Sequence, residues 1–342
     1  MSNSSLLADK LVFCGKTALE IAHSFNDANI DATRSPLSAL PKRPLPDPTL
    51  KQLAGRLSAT TPPIRFSFPA HLLFHGDVRH KQTLLRIPHR CTNTPKGRHF
   101  LKVDKNVYAA SANLALCQMA DEAKEMLDLL LLLWEACGIY RTDLTWMEST
   151  YETVPLTSVR SLTRFMSENP KIHGAGKIRR VLHYVRDRSA SVRETQIALF
   201  LGLPIRYGGF NLGLPQMNHR VDASQEARLI GGRSHFRCDL CWPDQKIDIE
   251  YQSDESHEGK LMRIKDSRRT NALISMGWHV VNVTNNEAQS LATLERIAEH
   301  VRVLLRKRSH PATRETSIRR LHLHRRLGIA RDDLALPSSL QK

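Results

Sequence analysis

The 342-residue chain is 41% hydrophobic and 25% charged, the balance of a folded protein long enough for two domains. Its 50 Lys and Arg against 34 Asp and Glu leave a formal charge of +16, which favours a polyanionic partner. The longest apolar run, Leu129–Trp134, is six residues against the ~20 a bilayer span needs, so no membrane partner is expected. With scattered cysteines and no charged-then-apolar leader, neither a disulfide framework nor secretion is expected, and the expected location is cytoplasmic.

Taken in chain order, Leu11–Phe13 reads as a strand and Lys16–Phe25 as a helix. Cys14-Gly15-Lys16-Thr17 between them has the look of a phosphate loop. Such a loop needs a glycine where Lys10 stands, so no nucleotide cofactor is expected. Five prolines from Pro36 to Pro48 predict an extended connection. Apolar segments at Ile64–Phe68, His71–Phe74 and Thr83–Ile87 predict a small β-rich unit, and Leu114–Gly138 one long helix closed by its glycine. The polar stretch 142–164 reads as a domain boundary. Beyond it, Gly174–Ser191 sets Lys177, Arg179, Arg180, Arg186 and Arg188 around apolar positions at helical spacing. That pattern fits a solvated helix face or a contact with the DNA backbone.

From residue 191 the chain predicts a helix at Val192–Leu201 and strands at Met217–Ala223, Phe236–Trp242 and Lys246–Gln252. A helix at Glu258–Met276 stopped by Gly277, a strand at Trp278–Val283 and a helix at Leu291–Leu305 follow. The order α-βββ-α-β-α implies an α/β unit, a mixed sheet flanked by helices. Strand alternation puts Arg237, Asp239 and Cys241 on one face, with Cys238 and Leu240 on the other. On the next strand Lys246, Asp248, Glu250 and Gln252 share a face. A hairpin through Pro243–Gln245 would set Asp239 beside Glu250. Two carboxylates that close repel unless a cation lies between them, and hard oxygen donors suit Mg²⁺ or Mn²⁺. Glu194 lies on the inward face of its helix, with Ile197, Ala198 and Leu201 at helical spacing. It also completes a capping box with Ser191, so a cap and a place in the metal shell both stay open. Cys238-x-x-Cys241 is half a zinc pattern; alternation and the lack of a second pair argue against structural zinc. His322 and His324 are assigned with the basic tail as backbone contacts, and Trp242, Tyr251 and Trp278 as core.

These residues resemble the PD-(D/E)xK restriction-endonuclease-like superfamily, and within it the very-short-patch-repair-like branch. The resemblance covers about 115 residues of the chain. It is carried by Ser191-Val-Arg-Glu194, Leu201-Gly-Leu-Pro204, Arg237-Cys-Asp-Leu-Cys-Trp-Pro243, Ile249-Glu-Tyr251, His257, Asp266-Ser-Arg-Arg269, Gly277-Trp278 and Thr284. It implies a central mixed sheet and metal-dependent phosphodiester hydrolysis on DNA. By residue, it implies Asp239 and Glu250 as metal ligands with the Tyr251 carbonyl, and Gln252, Glu194 and His257 as further catalytic residues. Lys260 and Lys265 would balance charge, and Arg269 would join them in binding DNA. Gln252 departs from the pattern: other members carry Lys, Asp or His there, and a neutral amide orients water or phosphate but is neither base nor cation. The alternative is a degenerate nuclease fold acting as a DNA-binding regulator or antitoxin-like protein.

From Arg302 to Arg331 ten basic residues face one acid, which makes a basic arm that includes Arg319, Arg320, Arg325 and Arg326 as DNA contacts. Upstream, Arg65–Pro69, Gly76–Arg79, Val107–Ala109 and Ala115–Ala120 resemble AbiEi-type abortive-infection antitoxins, which implies a DNA-binding or toxin–antitoxin context. The expected organisation is an α+β accessory domain over 1–150, a basic helical connector over 151–188, the nuclease-like domain over 189–306 and the basic arm over 307–342. The expected partners are DNA and, for double-strand cutting, a second copy of the chain; the expected roles are phage defence or repair.

Overall fold

A computed structural model describes residues 10–26, 34–35, 39–76, 80–91, 93–142, 149–252, 260–309, 311 and 313–329. The architecture is mixed α/β, with twelve helices and three sheets among the described residues. It divides into two units, 1–137 with 154–185, and 138–153 with 186–342. No helix among the described residues is long and apolar enough to cross a membrane.

The first unit holds β1 (Leu11–Phe13), α1 (Gly15–Asn26), β2 (Arg34–Ser35), α2 (Asp47–Ser58), β3 (Ala70–Phe74), β4 (Arg86–Arg90), β5 (Phe100–Asp104) and β6 (Val107–Ala110). Helices α3 (Ala112–Glu122), α4 (Met126–Cys137), α5 (Val159–Glu168) and α6 (Ala175–Val181) complete it. Its sheet runs β2-β5-β6-β1-β3-β4, with β1 parallel to β6 and β3 parallel to β4. The central place of β1 explains why Leu11, Val12 and Phe13 are all buried.

Three expectations fail here for physical reasons. Ile64–Phe68 forms no strand. The proline-rich connection ends in α2, whose first turn takes Pro48, where a missing N–H costs nothing. The long helix is two: α3 stops at Glu122, and Lys177 from α6 reaches over to bond the Asp121 carbonyl at 2.6 Å and the Ala123 carbonyl at 3.2 Å. A tertiary contact satisfies the carbonyls at the break, and the local sequence holds no helix breaker. Gly174 enters α6 at φ +79°, and a Cβ there would lie 1.8 Å from the Cys117 carbonyl oxygen.

The second unit opens with a hairpin, β7 (Tyr140–Thr142) and β8 (Ser149–Tyr151). Then come α7 (Val192–Gly202), β9 (Gln216–Asp222), α8 (Gln225–Gly231), β10 (His235–Trp242), β11 (Ile247–Gln252), α9 (Lys260–Ser275) and β12 (His279–Thr284). Helices α10 (Asn285–Gln289), α11 (Leu291–Leu304) and α12 (Arg314–Arg326) follow. The sheet order is β12-β11-β10-β9, with β11 and β12 parallel and the other pairs antiparallel. The predicted strands and helices are present, and the order gains α8 between β9 and β10 and α10 between β12 and α11. Ser224 caps α8 by accepting from Ala227 N–H, and Gly232 closes it in the left-handed region.

The basic arm is not separate up to residue 329. Leu323, Leu327 and Ile329 are buried. Arg320, 6% exposed, lies over the Phe210 ring at 4.1 Å and pairs with Glu295 at 3.5 Å. His324 is buried, its Nε2 3.1 Å from the Ala288 carbonyl oxygen. Arg302 donates to the Phe210 carbonyl at 2.7 Å. Two cations of the basic run, Arg302 and Arg320, are therefore spent inside the fold.

Candidate functional site

The turn Pro243–Gln245 joins β10 to β11, and Lys246 closes it at φ +51°, its Nζ donating to the Met276 carbonyl at 2.9 Å. Lys246 thus lies in the turn before β11, its amine held just beyond the end of α9. The hairpin register pairs Leu240 with Ile249, Cys241 with Asp248 and Trp242 with Ile247. On the other side β10 pairs Cys238 with His219 and Leu240 with Met217, and forms no pair where Asp239 would meet Asn218, whose φ is +47°. The ladder lapses at Asp239. Its Oδ2 accepts instead from the Tyr251 N–H at 3.2 Å, which ties the acid of β10 to the backbone of β11.

This interruption corrects the alternation argument. Cys238 and Cys241 do not point to opposite faces; both join one core cluster with Ala223, Ala227, Phe236, Ala272, Leu273 and Trp278. Asp248 and Glu250 look the same way, since the Cys238 Sγ and one oxygen of each acid all lie within 4.8 Å of one another.

Because β11 is an inner strand, its acids are covered. Asp248 is 0% exposed and Glu250 7%. Burial, then the charge of Glu250, pushes Asp239 up to about 7. Burial, then the neighbouring Asp248 carboxyl, raises Glu250 to about 9. Burial also lifts Asp248 well above the carboxylate range, and its polar neighbours are the Glu250 carboxyl and the Cys238 thiol, with no donor from outside that group. Glu194 is raised to about 8 by burial and then by Asp239. Its carboxylate accepts from the Ala190 N–H at 3.0 Å, the Ser191 hydroxyl at 3.1 Å and the Asn218 amide at 3.3 Å, while Ser191 Oγ caps the helix. Cap and acid cluster therefore coexist in Glu194. Four carboxyls interact here, and burial is the largest cause that raises the pKa of each.

The cation that meets them is Arg269, assigned from sequence to DNA. Its Nη2 donates to Glu250 Oε1 at 2.6 Å, its Nη1 to Oε2, and it also reaches the Arg237 carbonyl. Burial alone would lower the Arg269 pKa, and Glu250, Asp239 and Asp248 more than offset it. Its fork is engaged with carboxylate, so it is not a free phosphate contact.

The remaining assignments fall as follows. Gln252 is exposed at the end of β11, its amide 3.4 Å from the Asn282 side-chain oxygen. The Tyr251 hydroxyl donates to Asn285 at 3.3 Å, and Tyr251 is only half-buried, whereas Trp242 and Trp278 are core. Lys265 is exposed on α9, Lys260 is the first residue of that helix, and His257 lies outside the described residues. In the first unit Arg179 and Arg180 are exposed on α6, with Arg179 donating to the Met166 carbonyl at 3.3 Å. Arg319 pairs with Glu315 four residues back; Arg325 and Arg326 are exposed at the end of α12, while Arg320 is buried.

Two groups escaped the sequence reading. Asp248 was legible as a neighbour of Glu250 on one strand face, and its signal was an acid in an otherwise apolar inner strand. In the first unit, His89 Nδ1 lies 3.2 Å from Glu122 and its Nε2 2.9 Å from His71 Nδ1, in rings only 15° apart. Residues 18 apart on neighbouring strands give no local signal of this.

No family model and no solved structure matches the chain. Uncharacterized proteins of two Mycobacterium tuberculosis strains, CDC 1551 / Oshkosh and H37Rv, are each 28% identical to it over 127 residues. The match covers 36% of this chain and 41% of each relative, so the chain spans less than half of their length.

Proposed function

We propose that the second unit is a restriction-endonuclease-like domain that hydrolyses DNA phosphodiester bonds with a divalent metal, Mg²⁺ or Mn²⁺. The observation that carries the reading is the convergence of Asp239, Glu250, Asp248 and Glu194, largely buried, against the single guanidinium of Arg269. Buried acids that raise one another's pKa are the mark of a cation-binding or proton-handling site. The motif string around these acids supports the same reading, and the surplus of basic residues supports a nucleic-acid substrate.

Asp239 and Glu250 would hold the ion, with the Tyr251 carbonyl as a further donor. When bound, such an ion polarises a phosphoryl oxygen and lowers the pKa of its water. The chain's own residues prepare the place. The Tyr251 N–H fixes the Asp239 carboxylate, and Arg269 orients Glu250 with two donors. Gln252, at the exposed end of β11, can orient a water or a phosphate oxygen, and exposed Lys265 offers a cation to the backbone of a bound strand.

The test is incubation of supercoiled, mismatched and single-stranded DNA with the full chain and Mg²⁺ or Mn²⁺, beside Asp239→Ala. Metal-dependent cleavage lost in the variant is the expected result. Cleavage of none of the three substrates with either metal would sink the reading.

A further inference from the structure

On the side of the hairpin that carries the Cys238 core cluster, Cys238 and Asp248 lie beside Glu250 but outside the Asp239–Glu250 pair proposed to hold magnesium. Cys238 and Asp248 are 0% exposed and Glu250 7%, and the thiol sulfur and one oxygen of each acid lie within 4.8 Å of one another. The Asp248 oxygens meet no donor from outside this group of three: their polar neighbours are the Glu250 carboxyl and the Cys238 thiol. An unsatisfied buried polar group costs about 1–3 kcal/mol, and a charged one more, so folded proteins seldom keep one without a ligand or a proton. Arg269 does not relieve it, because both its close carboxylate contacts are to Glu250. Nor does Arg269 exhaust Glu250, since a carboxylate has roughly four lone-pair directions.

We propose that Cys238, Asp248 and Glu250 form a binding site for a borderline-soft divalent cation of the zinc class, with Glu250 shared between it and the Asp239 position. The donor set selects the ion. Mg²⁺ and Ca²⁺ take oxygen alone, whereas a thiolate beside carboxylates directs a site to Zn²⁺ or Co²⁺. Zinc bonds of about 2.3 Å to sulfur and about 2.1 Å to oxygen set neighbouring donors roughly 3.5 Å apart, a small contraction of the present triangle. The lapse in the ladder at Asp239 is what makes the site, because it brings Cys238 to the same side as Asp248 and Glu250. The inference does not rest on nuclease activity: a chain that cuts nothing can bind this ion, and one that cuts DNA with Mg²⁺ can lack it.

The experiment is titration of the reduced, chelator-treated full chain with Co²⁺, followed by competition with Zn²⁺. One equivalent of Co²⁺ should bring a thiolate-to-cobalt absorption band in the near ultraviolet, and Zn²⁺ should abolish it. Cys238→Ser should lose the band. Asp248→Asn, which keeps the shape of the side chain, should weaken Co²⁺ binding at least as much as the roughly ten- to hundredfold that outer-shell partners cost. Asp239→Asn should keep the band. Absence of a thiolate band in the wild type, its survival in Cys238→Ser, its loss in Asp239→Asn, or unchanged affinity in Asp248→Asn would each overturn the proposal. Should Cys238→Ser fail to fold, the wild type decides with two readings: the cobalt band and a rise of melting temperature with Zn²⁺. Absence of either overturns the site.

Discussion

Glu250 has, in Arg269, a partner that grips both of its oxygens, and the carboxylate is 7% exposed. Removing the guanidinium would take two donors from a buried carboxyl already raised to about 9. The carboxyl would answer by holding its proton, so the cost falls below the ~3–5 kcal/mol of breaking a fully buried charged pair. The Arg269 side chain is 29% exposed, so water shares part of the pairing and the loss should be smaller, about 2 kcal/mol. Arg269→Ala should therefore lower the stability of the second unit by about that amount. Adding Glu250→Gln should recover most of the loss, since the carboxyl left without its donors goes with it. Denaturant unfolding of the wild type, both single variants and the double variant measures the coupling. If the double variant loses the sum of the two single losses, the pair carries no such energy. At this scale sequence reads residue types and spacing well and side-chain direction poorly. Asp239 and Glu250 were placed on neighbouring strands correctly, whereas Cys238 was put on the wrong face. Alternation assumes an unbroken ladder, and the lapse at Asp239 carries no signature in the letters around it.

Among the elements, β3 and β4 are a parallel pair that no motif announced, and they bring His71 and His89 together. Burial and then the nearby His89 lower His71 from 6.5 to about 4. The folded chain thus disfavours protonated His71. Its contribution to stability is present above pH 6.5 and is lost as pH falls from 6.5 towards 4. His71→Asn should flatten that part of the stability profile. Amide exchange in β3 and β4, compared between about pH 7.5 and about pH 5.5 (roughly one unit either side of the ordinary histidine pKa), reads it directly. The wild type should lose more protection on acidification than the variant, and parallel losses would remove His71 as the cause. Elements with strong local signals were legible: α7 through its Ser191 cap, the β10–β11 turn, and the end of α9 at Gly277. Those set by tertiary contact were not. α3 and α4 part where Lys177 bonds the Asp121 and Ala123 carbonyls, and no local propensity encodes that contact. The pairing of β3 with β4 likewise joins segments separated in sequence, where periodicity says nothing about partners.

For the whole molecule, the surplus of +16 is a statement about partners only where the cations face water. The basic run after Arg302 looked like a detachable arm, yet Arg302 and Arg320 are buried and Leu323, Leu327 and Ile329 join the core of the second unit. Truncation after Arg306 would remove those three aliphatic side chains, each worth about 1.5–3 kcal/mol when buried. A truncated chain that lost DNA binding would therefore report unfolding as readily as lost contacts. Point substitution separates the two. Lys307 and Arg308 are exposed beyond α11. If the chain binds DNA through this face, each neutralised phosphate contributes about −0.9 to the slope of log K against log salt. Replacing both residues by Gln should make that slope shallower by about 2 and weaken binding at low salt alike for all sequences. The melting temperature should stay where it is, because neither side chain is buried. Fluorescence anisotropy of a labelled duplex across a salt series, with a melt of each variant, gives both numbers. An unchanged slope with an unchanged melting temperature would move the DNA contact off this face and onto the cations of α6 or α9.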